Sequence, residues 1–285
     1  MAERAEIQDT APVTVERVGA HVVLMALRRP PHNYFDVPMV RMLADLYAEA
    51  DADPSVRVIV LASEGRSFSA GANFGGDGDR TVPIGAGSED GSVDGADDGA
   101  DALYAEAARV FSVGIPVVAA VHGTAIGGGF GLAVSADFRV AAPGTRFCAN
   151  FARLGIHHGF GLTVSLPRVI GEQHALDMLL TGRRVHGIEA HRIGLADRLV
   201  DDPEPGGDPA EAVRAGALSL AAELAEAAPL AVRSIRATQR AGLAEAVAAA
   251  TPREASEQRV LRRTADFAEG VAATAERRTP RFTGS

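Results

Sequence analysis

The amino-acid sequence predicts an α/β fold that is followed by an α-helical region. In the first two-thirds of the 285 residues, buried strand patterns alternate with amphipathic helix patterns. From about residue 206 onward the chain is rich in Ala and has helical periodicity only. We therefore expect a flexible N-terminus over residues 1–12, an α/β core over residues 13–205 and a helical region over residues 206–285.

The predicted strands are rich in Val, Leu and Ala and are bounded by turn residues. Residues 14–27 predict two short strands that turn at Gly19–Ala20. The further predicted strands are residues 56–62, 116–122, 138–141 and 145–149.

The first predicted helix spans residues 36–51, because Asp36 can cap it and Pro38 lies in its first turn. The other predicted helices are residues 101–111, 126–134, 209–227, 229–241 and 252–278. The C-terminal helices have apolar faces that need a partner surface, which favours a homo-oligomer.

Charge is concentrated in one segment. The whole chain has a net charge of −9, and residues 75–101 contain eight acidic residues, eight glycines and a single Arg. Because this composition cannot build a core, we expect a mobile surface insertion there. The remainder of the chain is close to neutral, so the acidity indicates little about binding partners.

Composition also excludes several classes of protein. No apolar run is long enough for a membrane span, and residues 1–10 lack the apolar stretch of a secretory signal, so a cytoplasmic protein with no membrane partner is expected. No dense basic stripe predicts nucleic-acid binding. One Cys excludes a disulfide within the chain and a multi-Cys metal site, and the absence of Lys excludes a Schiff base.

Three motifs occur in a fixed order. They are residues 67–73 (SFSAGAN), residues 121–129 (VHGTAIGGG) and residues 147–163, in which glycines occupy positions 155, 159 and 161. Shorter marks are DPSVR at 53–57, TGR at 181–183 and GLAD at 194–197. In this order and spacing, the chain resembles the crotonase superfamily, the enoyl-CoA hydratase/isomerase family, over nearly its whole length.

The resemblance implies a spiral of repeated ββα units with a C-terminal helical trimerisation region, assembled as a trimer or a dimer of trimers. It implies an acyl-CoA substrate, no metal, and no cofactor apart from the coenzyme A of the substrate. It also implies that the backbone N–H groups of Ala72 and Gly128 form an oxyanion hole for a thioester enolate. Glycine suits such a site, because no Cβ blocks the approach to the backbone.

The acid/base residues depart from the family pattern. The resemblance places the two hydratase glutamates at Gly131 and Phe151, and neither residue can move a proton. We therefore take His158 and His157 as candidate acid/base groups, since an imidazole titrates near neutral pH.

The resemblance further implies contacts with coenzyme A and the acyl group. The implied residues are Arg28, Arg29, Ser67, Ser69, Ala70, Gly131, Phe151 and Arg277.

Other polar residues have simpler interpretations. Some relatives take catalytic groups from the helix that carries Tyr104 and Glu106, but we expect a solvated helix face there. His122, Asp137 and Cys148 are expected to be structural.

These observations leave three functions open. The first is an enoyl-CoA hydratase or isomerase with unusual acid/base groups. The second is another reaction through the same enolate, such as decarboxylation, or thioester hydrolysis. The third is an acyl-CoA-binding protein that has no activity. A dinucleotide-binding fold fails, because the glycines of residues 127–131 lie mid-chain and no acidic residue follows at the required interval.

Overall fold

A computed structural model describes residues 11–72, 94–201 and 207–285. Three parts of the predictions lie outside the described residues. They are residues 1–10 of the flexible N-terminus predicted over residues 1–12, residues 75–93 of the acidic segment, and the predicted boundary at 205–206. Residues 94–101 of the acidic segment are helical, so that helix begins earlier than the sequence indicated.

The main sheet has six strands in the order β1-β2-β3-β4-β6-β9. Only β1 and β2 are antiparallel; they form the predicted hairpin, in which Val18 pairs with Val22 across a turn with Gly19 at φ +66°. The other neighbouring strands are parallel. The strands are β1 Val13–Val18, β2 Val22–Leu27, β3 Val58–Ser63, β4 Val117–Val121, β6 Phe138–Ala141 and β9 Arg198–Leu199.

A second, three-stranded sheet lies beside the first. It consists of β5 (Thr124–Ile126), β7 (Arg146–Cys148) and β8 (Arg184–His186), with β7 in the centre. β5 pairs parallel to β7, and β8 pairs antiparallel to it. The short β5, β8 and β9 were not predicted, because two or three residues give no periodicity.

The described helices confirm most of the sequence predictions. Helix α1 begins after Asp36, whose carboxylate accepts a hydrogen bond from Met39 N at 3.0 Å. The described helices are α1 Val37–Ala52, α2 Asp94–Val110, α3 Gly128–Ser135, α4 Leu162–Ile170, α5 Glu172–Thr181, α6 Gly187–Arg192, α7 Pro209–Glu226, α8 Pro229–Gln239, α9 Leu243–Leu261 and α10 Ala265–Ala275, with a 3₁₀ helix at Asn150–Leu154.

The predicted helix over residues 252–278 is wrong, because two helices occupy this region. Pro252 lies inside α9, where it leaves the carbonyl of Ala248 without its helical donor. The hydroxyl of Thr251 donates to that carbonyl at 3.4 Å and so compensates for the missing N–H. Helix α10 begins separately, because the hydroxyl of Thr264 caps the backbone N–H of Phe267 at 3.2 Å.

Two apolar layers cover the main sheet. Alternate residues of β3 face opposite sides: Val58, Val60 and Ala62 pack towards α7, whereas Ile59 and Leu61 face the larger core. Both faces of the central strands are buried, as is usual for parallel strands.

Within the described part of the chain, no single helix has both the length and the apolar character that crossing a membrane requires. Two consecutive helices that meet at a bend, Pro209–Glu226 and Pro229–Gln239, are together long and apolar enough by length and composition alone.

Candidate active site

A cavity of about 410 Å³ opens where the loops after β3 and β5 meet the last helices of the chain. On one side lie Ala70, Ala72, Gly127 and Gly128. The opposite side comes from α2, the 3₁₀ helix, α9 and α10, and most of its side chains are apolar. A largely apolar cavity with a few polar groups is the usual form of a small-molecule site.

The loops that carry Ala72 and Gly128 are held together by backbone hydrogen bonds. Ile126 N donates to Ser69 O at 3.0 Å, and Ser69 N donates to Thr124 O at 3.2 Å. Gly71 has φ +79°, and a Cβ built on it lies only 2.9 Å from Gly128 N. Only a glycine fits there, so the two segments approach as closely as the motifs predicted.

Within the described residues, no acceptor in the chain receives a hydrogen bond from the backbone N–H of Ala72 or Gly128. Gly128 is the first residue of α3, where helical N–H groups have no partner inside the helix. Both residues line the cavity. The predicted oxyanion donors are therefore on its wall.

Gly131 and Phe151, the two positions that the resemblance assigns to the hydratase glutamates, differ in their surroundings. Phe151 is 5% exposed and lines the cavity. Gly131 does not line it, because Phe160 lies between: a Cβ on Gly131 is 2.6 Å from the Cβ of Phe160. A larger residue at position 131 therefore requires Phe160 to move.

The structure does not bring His157 and His158 to the described cavity wall. Their rings stack on each other at 4.1 Å, and His157 Nδ1 lies 2.7 Å from the carbonyl of His158. His158 Nε2 lies 2.9 Å from the hydroxyl of Thr163. Burial, together with the neighbouring His157, lowers the pKa of His158 to about 4, so its imidazole is neutral at physiological pH.

Tyr104 corrects the expectation of a solvated helix face. It is 6% exposed and lines the cavity, and burial raises its pKa well above the ordinary value. A Cβ on Gly159 falls 2.0 Å from its hydroxyl oxygen, so Tyr104 packs directly on the loop of the third motif. Glu106 is also buried, and it forms ion pairs with Arg41 and Arg109 at 2.7 and 2.6 Å.

The implied coenzyme A residues are spread over one side of the cavity mouth and beyond it. Ala70 lines the cavity. Ser69 is buried and donates to Asn33 O at 2.8 Å, and Ser67 is buried and accepts from the Thr124 hydroxyl at 2.9 Å. Both hydroxyls therefore hold the loop in place.

The implied arginines have different environments. Arg29 pairs with Asp36 at 3.0 Å, and Arg28 pairs with Glu64 at 3.5 Å. Arg277 is exposed and has φ +57°, two residues after the end of α10 at Ala275.

The residues expected to be structural have structural contacts. The carboxylate of Asp137 accepts from Val117 N at 2.8 Å and pairs with Arg236 and Arg240 at 2.9 and 3.0 Å. Cys148 is buried, which raises the pKa of its thiol, and it donates to a backbone carbonyl. His122 is buried, which lowers its pKa, and it contacts Gly65 O at 3.1 Å.

Three residues at the end of α9 were missed. Gln258 and Arg262 line the cavity, and Glu254 is 1% exposed behind it. The carboxylate of Glu254 accepts hydrogen bonds from Gly161 N at 2.9 Å and from the hydroxyl of Thr163 at 2.5 Å. Glu254, Gln258 and Arg262 are spaced four residues apart, which puts them on one face of the helix. This polar stripe was the signal that the sequence offered.

Known proteins resemble this chain in sequence over nearly its whole length. Residues 17–285 match the family described as enoyl-CoA hydratase/isomerase. A protein of Mycobacterium bovis named probable enoyl-CoA hydratase echA12 is 35% identical, with 95% of this chain and 92% of that protein covered. The 1,2-epoxyphenylacetyl-CoA isomerase of Escherichia coli is 30% identical, with 95% of this chain and 98% of that protein covered.

A solved structure, an enoyl-CoA hydratase from Mycobacterium avium, superposes with a TM-score of 0.78 at 26% identity. The superposition covers 96% of this chain and 99% of that structure. The predicted spiral fold and the resemblance read from the three motifs are thereby confirmed.

Proposed function

The chain belongs to the enoyl-CoA hydratase/isomerase family, and we propose that it acts on an acyl-CoA thioester by stabilising the thioester enolate. The backbone N–H groups of Ala72 and Gly128 donate to the thioester oxygen as negative charge develops on it. Coenzyme A enters as part of the substrate, and the proposed chemistry uses no other cofactor.

One observation carries the proposal. Ala72 and Gly128 come from loops distant in sequence and line the same cavity, and no acceptor among the described residues takes their backbone N–H groups. The close approach of Gly71 to Gly128 N limits the distance between the two loops. Donors that are preorganised in this way stabilise the transition state more than the ground state, since the charge forms only during the reaction. Each such donor contributes about 3–4 kcal/mol.

The cavity wall limits the choice of reaction. Among the described residues that line it, none is an Asp, Glu, His or Cys. Hydration of an enoyl-CoA needs a group that activates water, and the two positions of the hydratase glutamates hold Gly131 and Phe151. The described lining by itself is better suited to an enolate reaction that needs only a proton donor, and the hydroxyl of Tyr104 is a donor on the wall.

This observation favours a second candidate reaction, the decarboxylation of a malonyl-type thioester. Loss of CO₂ leaves the bonding electrons on the thioester as the enolate, and one proton at the α-carbon completes the reaction. No general base is required. Hydration or isomerisation of an enoyl-CoA remains the first candidate on the family resemblance, with His158 and His157 as the alternative acid/base groups.

Two reactions test the proposal, and mass spectrometry follows both. The first is exchange of the α-hydrogens of an acyl-CoA with deuterium from D₂O, which needs a base, and the second is loss of CO₂ from a malonyl-type thioester, which needs none. Gly128→Pro removes the N–H donor, whereas Gly128→Ala keeps it and adds a similar Cβ, which lies 2.6 Å from the Phe35 ring. We expect exchange by the natural protein and a further loss of about 10²–10³-fold from the Ala to the Pro variant. Equal exchange by the two folded variants contradicts the oxyanion assignment.

The same samples distinguish a protein that binds acyl-CoA without catalysis. Such a protein binds the thioester in calorimetry and catalyses neither deuterium exchange nor loss of CO₂ from a malonyl-type thioester. Absence of both binding and exchange contradicts the proposed function altogether.

We also propose a homotrimer or a dimer of trimers. Apolar side chains that face solvent support association, among them Leu180 at 68% and Leu230 at 81% exposure. Light scattering after gel filtration tests this: a mass of three or six 29.5 kDa chains is expected, and a single-chain mass contradicts it. In the trimer Arg277 is proposed to reach coenzyme A.

A further inference from the structure

Aromatic side chains are concentrated at the cavity. They make up 5% of the whole chain, but five of the nineteen described residues that line the cavity are aromatic. These five are Tyr34, Phe35, Tyr104, Phe151 and Phe160. The three phenylalanines are all buried, so their rings belong to the cavity wall and not to the outer surface. An acyl group that enters the cavity therefore meets several aromatic rings.

Two of these rings lie against the loop that carries the proposed oxyanion donor Gly128. A Cβ built on Gly128 falls 2.6 Å from Cζ of Phe35, and a Cβ built on Gly127 falls 3.8 Å from Cζ of Phe151. Phe35 is also attached to the other donor loop, because its backbone N–H donates to Gly71 O at 3.0 Å. The rings of Phe35 and Phe151 are therefore close to the place proposed for the thioester oxygen.

Phe160 extends this aromatic surface. Its ring centroid lies 5.5 Å from that of Phe35, at an interplanar angle of 47°. Phe160 has φ +62°, a left-handed backbone conformation that is unfavourable for a residue with a Cβ. The chain adopts this conformation where it places a large ring in the cavity wall. Backbone strain of this kind is concentrated at functional sites, which points to a role for the ring.

Both positions that the resemblance assigns to the hydratase glutamates belong to the same surface. Phe151 occupies one of them and lines the cavity. At the other, Gly131, a Cβ would lie 2.6 Å from the Cβ of Phe160 and 3.1 Å from its Cγ, so the glycine leaves room for that side chain. Apolar rings therefore occupy the region in which a hydratase carries its carboxylates.

We propose that the acyl group of the substrate carries a planar aromatic ring, which packs against Phe35, Phe151 and Phe160. This inference rests on the proposed function, because it assigns the acyl group of the thioester that the oxyanion donors hold. Aromatic rings pack against one another edge-to-face or offset, and one such pair adds about two- to tenfold to the affinity beyond the area buried. An alkyl chain or a saturated ring buries a similar area without this contribution.

Three thioesters test the preference for a planar ring. The acyl groups of phenylacetyl-CoA, cyclohexylacetyl-CoA and octanoyl-CoA have the same number of carbon atoms, and only the first is aromatic. If two protein rings contact the ligand ring, phenylacetyl-CoA is expected to bind at least about fourfold more tightly than either of the others. Isothermal titration calorimetry of the full natural chain measures the three dissociation constants, so this comparison does not depend on the folding of a variant.

Two variants assign the preference to these rings. Phe151→Leu and Phe160→Leu each remove one ring and keep a large apolar side chain. Each is expected to lower the preference for phenylacetyl-CoA over cyclohexylacetyl-CoA by about two- to tenfold, while the affinity for octanoyl-CoA changes less than about threefold. Phe130→Leu is the matched control, because Phe130 is equally buried, packs against Phe147 and does not line the cavity. The control is expected to keep the preference of the natural protein.

The outcomes separate this inference from the proposed function. If cyclohexylacetyl-CoA or octanoyl-CoA binds as tightly as phenylacetyl-CoA, the aromatic acyl group is refuted and the acyl-CoA function stands. A preference that survives both substitutions, or that falls equally in Phe130→Leu, also overturns the inference. If none of the three thioesters binds, the proposed function fails, and the inference with it. Circular dichroism spectra that match the natural protein show that a loss in a variant is not due to unfolding.

Discussion

Gly71→Ala tests whether the close approach of two loops controls activity. A Cβ at this position lies 2.8 Å from Ile126 O and 2.9 Å from Gly128 N, whereas ordinary contacts begin at 3.4 Å. The loops must therefore separate by about 0.5 Å, which moves the N–H of Ala72 relative to that of Gly128. Oxyanion donors act at about 2.7–3.1 Å, so this displacement takes one donor out of range.

The expected loss follows from these distances. A misplacement of about 1 Å costs about 10²-fold in rate, and complete loss of one donor costs about 10²–10³-fold. We therefore expect deuterium exchange in Gly71→Ala to fall by at least about tenfold. Stability falls as well, because a left-handed backbone costs a non-glycine residue about 1–2 kcal/mol.

Gly19→Ala is the matched control. Gly19 also has a positive φ, at +66°, but a Cβ built on it has no atom within 4 Å apart from those of its two chain neighbours. Urea unfolding should show a similar loss of stability from the backbone conformation in both variants, and deuterium exchange should fall only in Gly71→Ala. If Gly71→Ala exchanges deuterium within twofold of Gly19→Ala, the separation of these loops does not control the chemistry.

Three further predictions concern packing and charge. Gly131→Glu is expected to lower the free energy of unfolding by about 1–3 kcal/mol, because the new side chain overlaps Phe160. We also expect that this variant does not hydrate an enoyl-CoA, as judged by mass spectrometry. A stable variant that hydrates an enoyl-CoA contradicts the packing argument. His158 binds its proton below pH 6.5 in the unfolded chain but only below about 4 in the folded one. As the pH drops through this window, stability should therefore fall by about 3 kcal/mol more than in His158→Gln, and equal slopes in urea titrations refute the buried neutral imidazole. Asp137→Ala should lower the free energy of unfolding in urea by about 3–5 kcal/mol, because the largely buried Arg236 and Arg240 lose their counter-charge. A loss below about 1 kcal/mol shows that solvent already screens these two arginines.

Local signals predicted the elements of the core well. The turn at Gly19 and the cap at Asp36 depend on a few neighbouring residues, and both were read correctly. The glycines of the first two motifs predicted a close backbone approach, which the structure shows at Gly71. Such features are accessible from one sequence, because glycine and capping residues have few alternative explanations.

The polar wall of the cavity could not be predicted in the same way. A Gln on a helix normally faces solvent and a Tyr is buried only in part of cases, and nothing near Tyr104 in the sequence indicates that α9 covers it. Tyr104 and Gln258 lie together at Gly159, although they are far apart in sequence. The break between α9 and α10 was missed for a related reason: the Thr251 hydroxyl compensates for Pro252 inside the helix, whereas the true end depends on the cap at Thr264.

The buried carboxylate of Glu254 has a consequence for the order in which the protein becomes functional. It accepts hydrogen bonds from Gly161 and Thr163, residues made about ninety positions earlier. During synthesis the oxyanion loops can therefore form while the facing loop of residues 155–163 still lacks its acceptor. The cavity has both of its sides only after residues 243–275 have been synthesised, so a chain that stops earlier lacks the side that Gln258 and Val271 line.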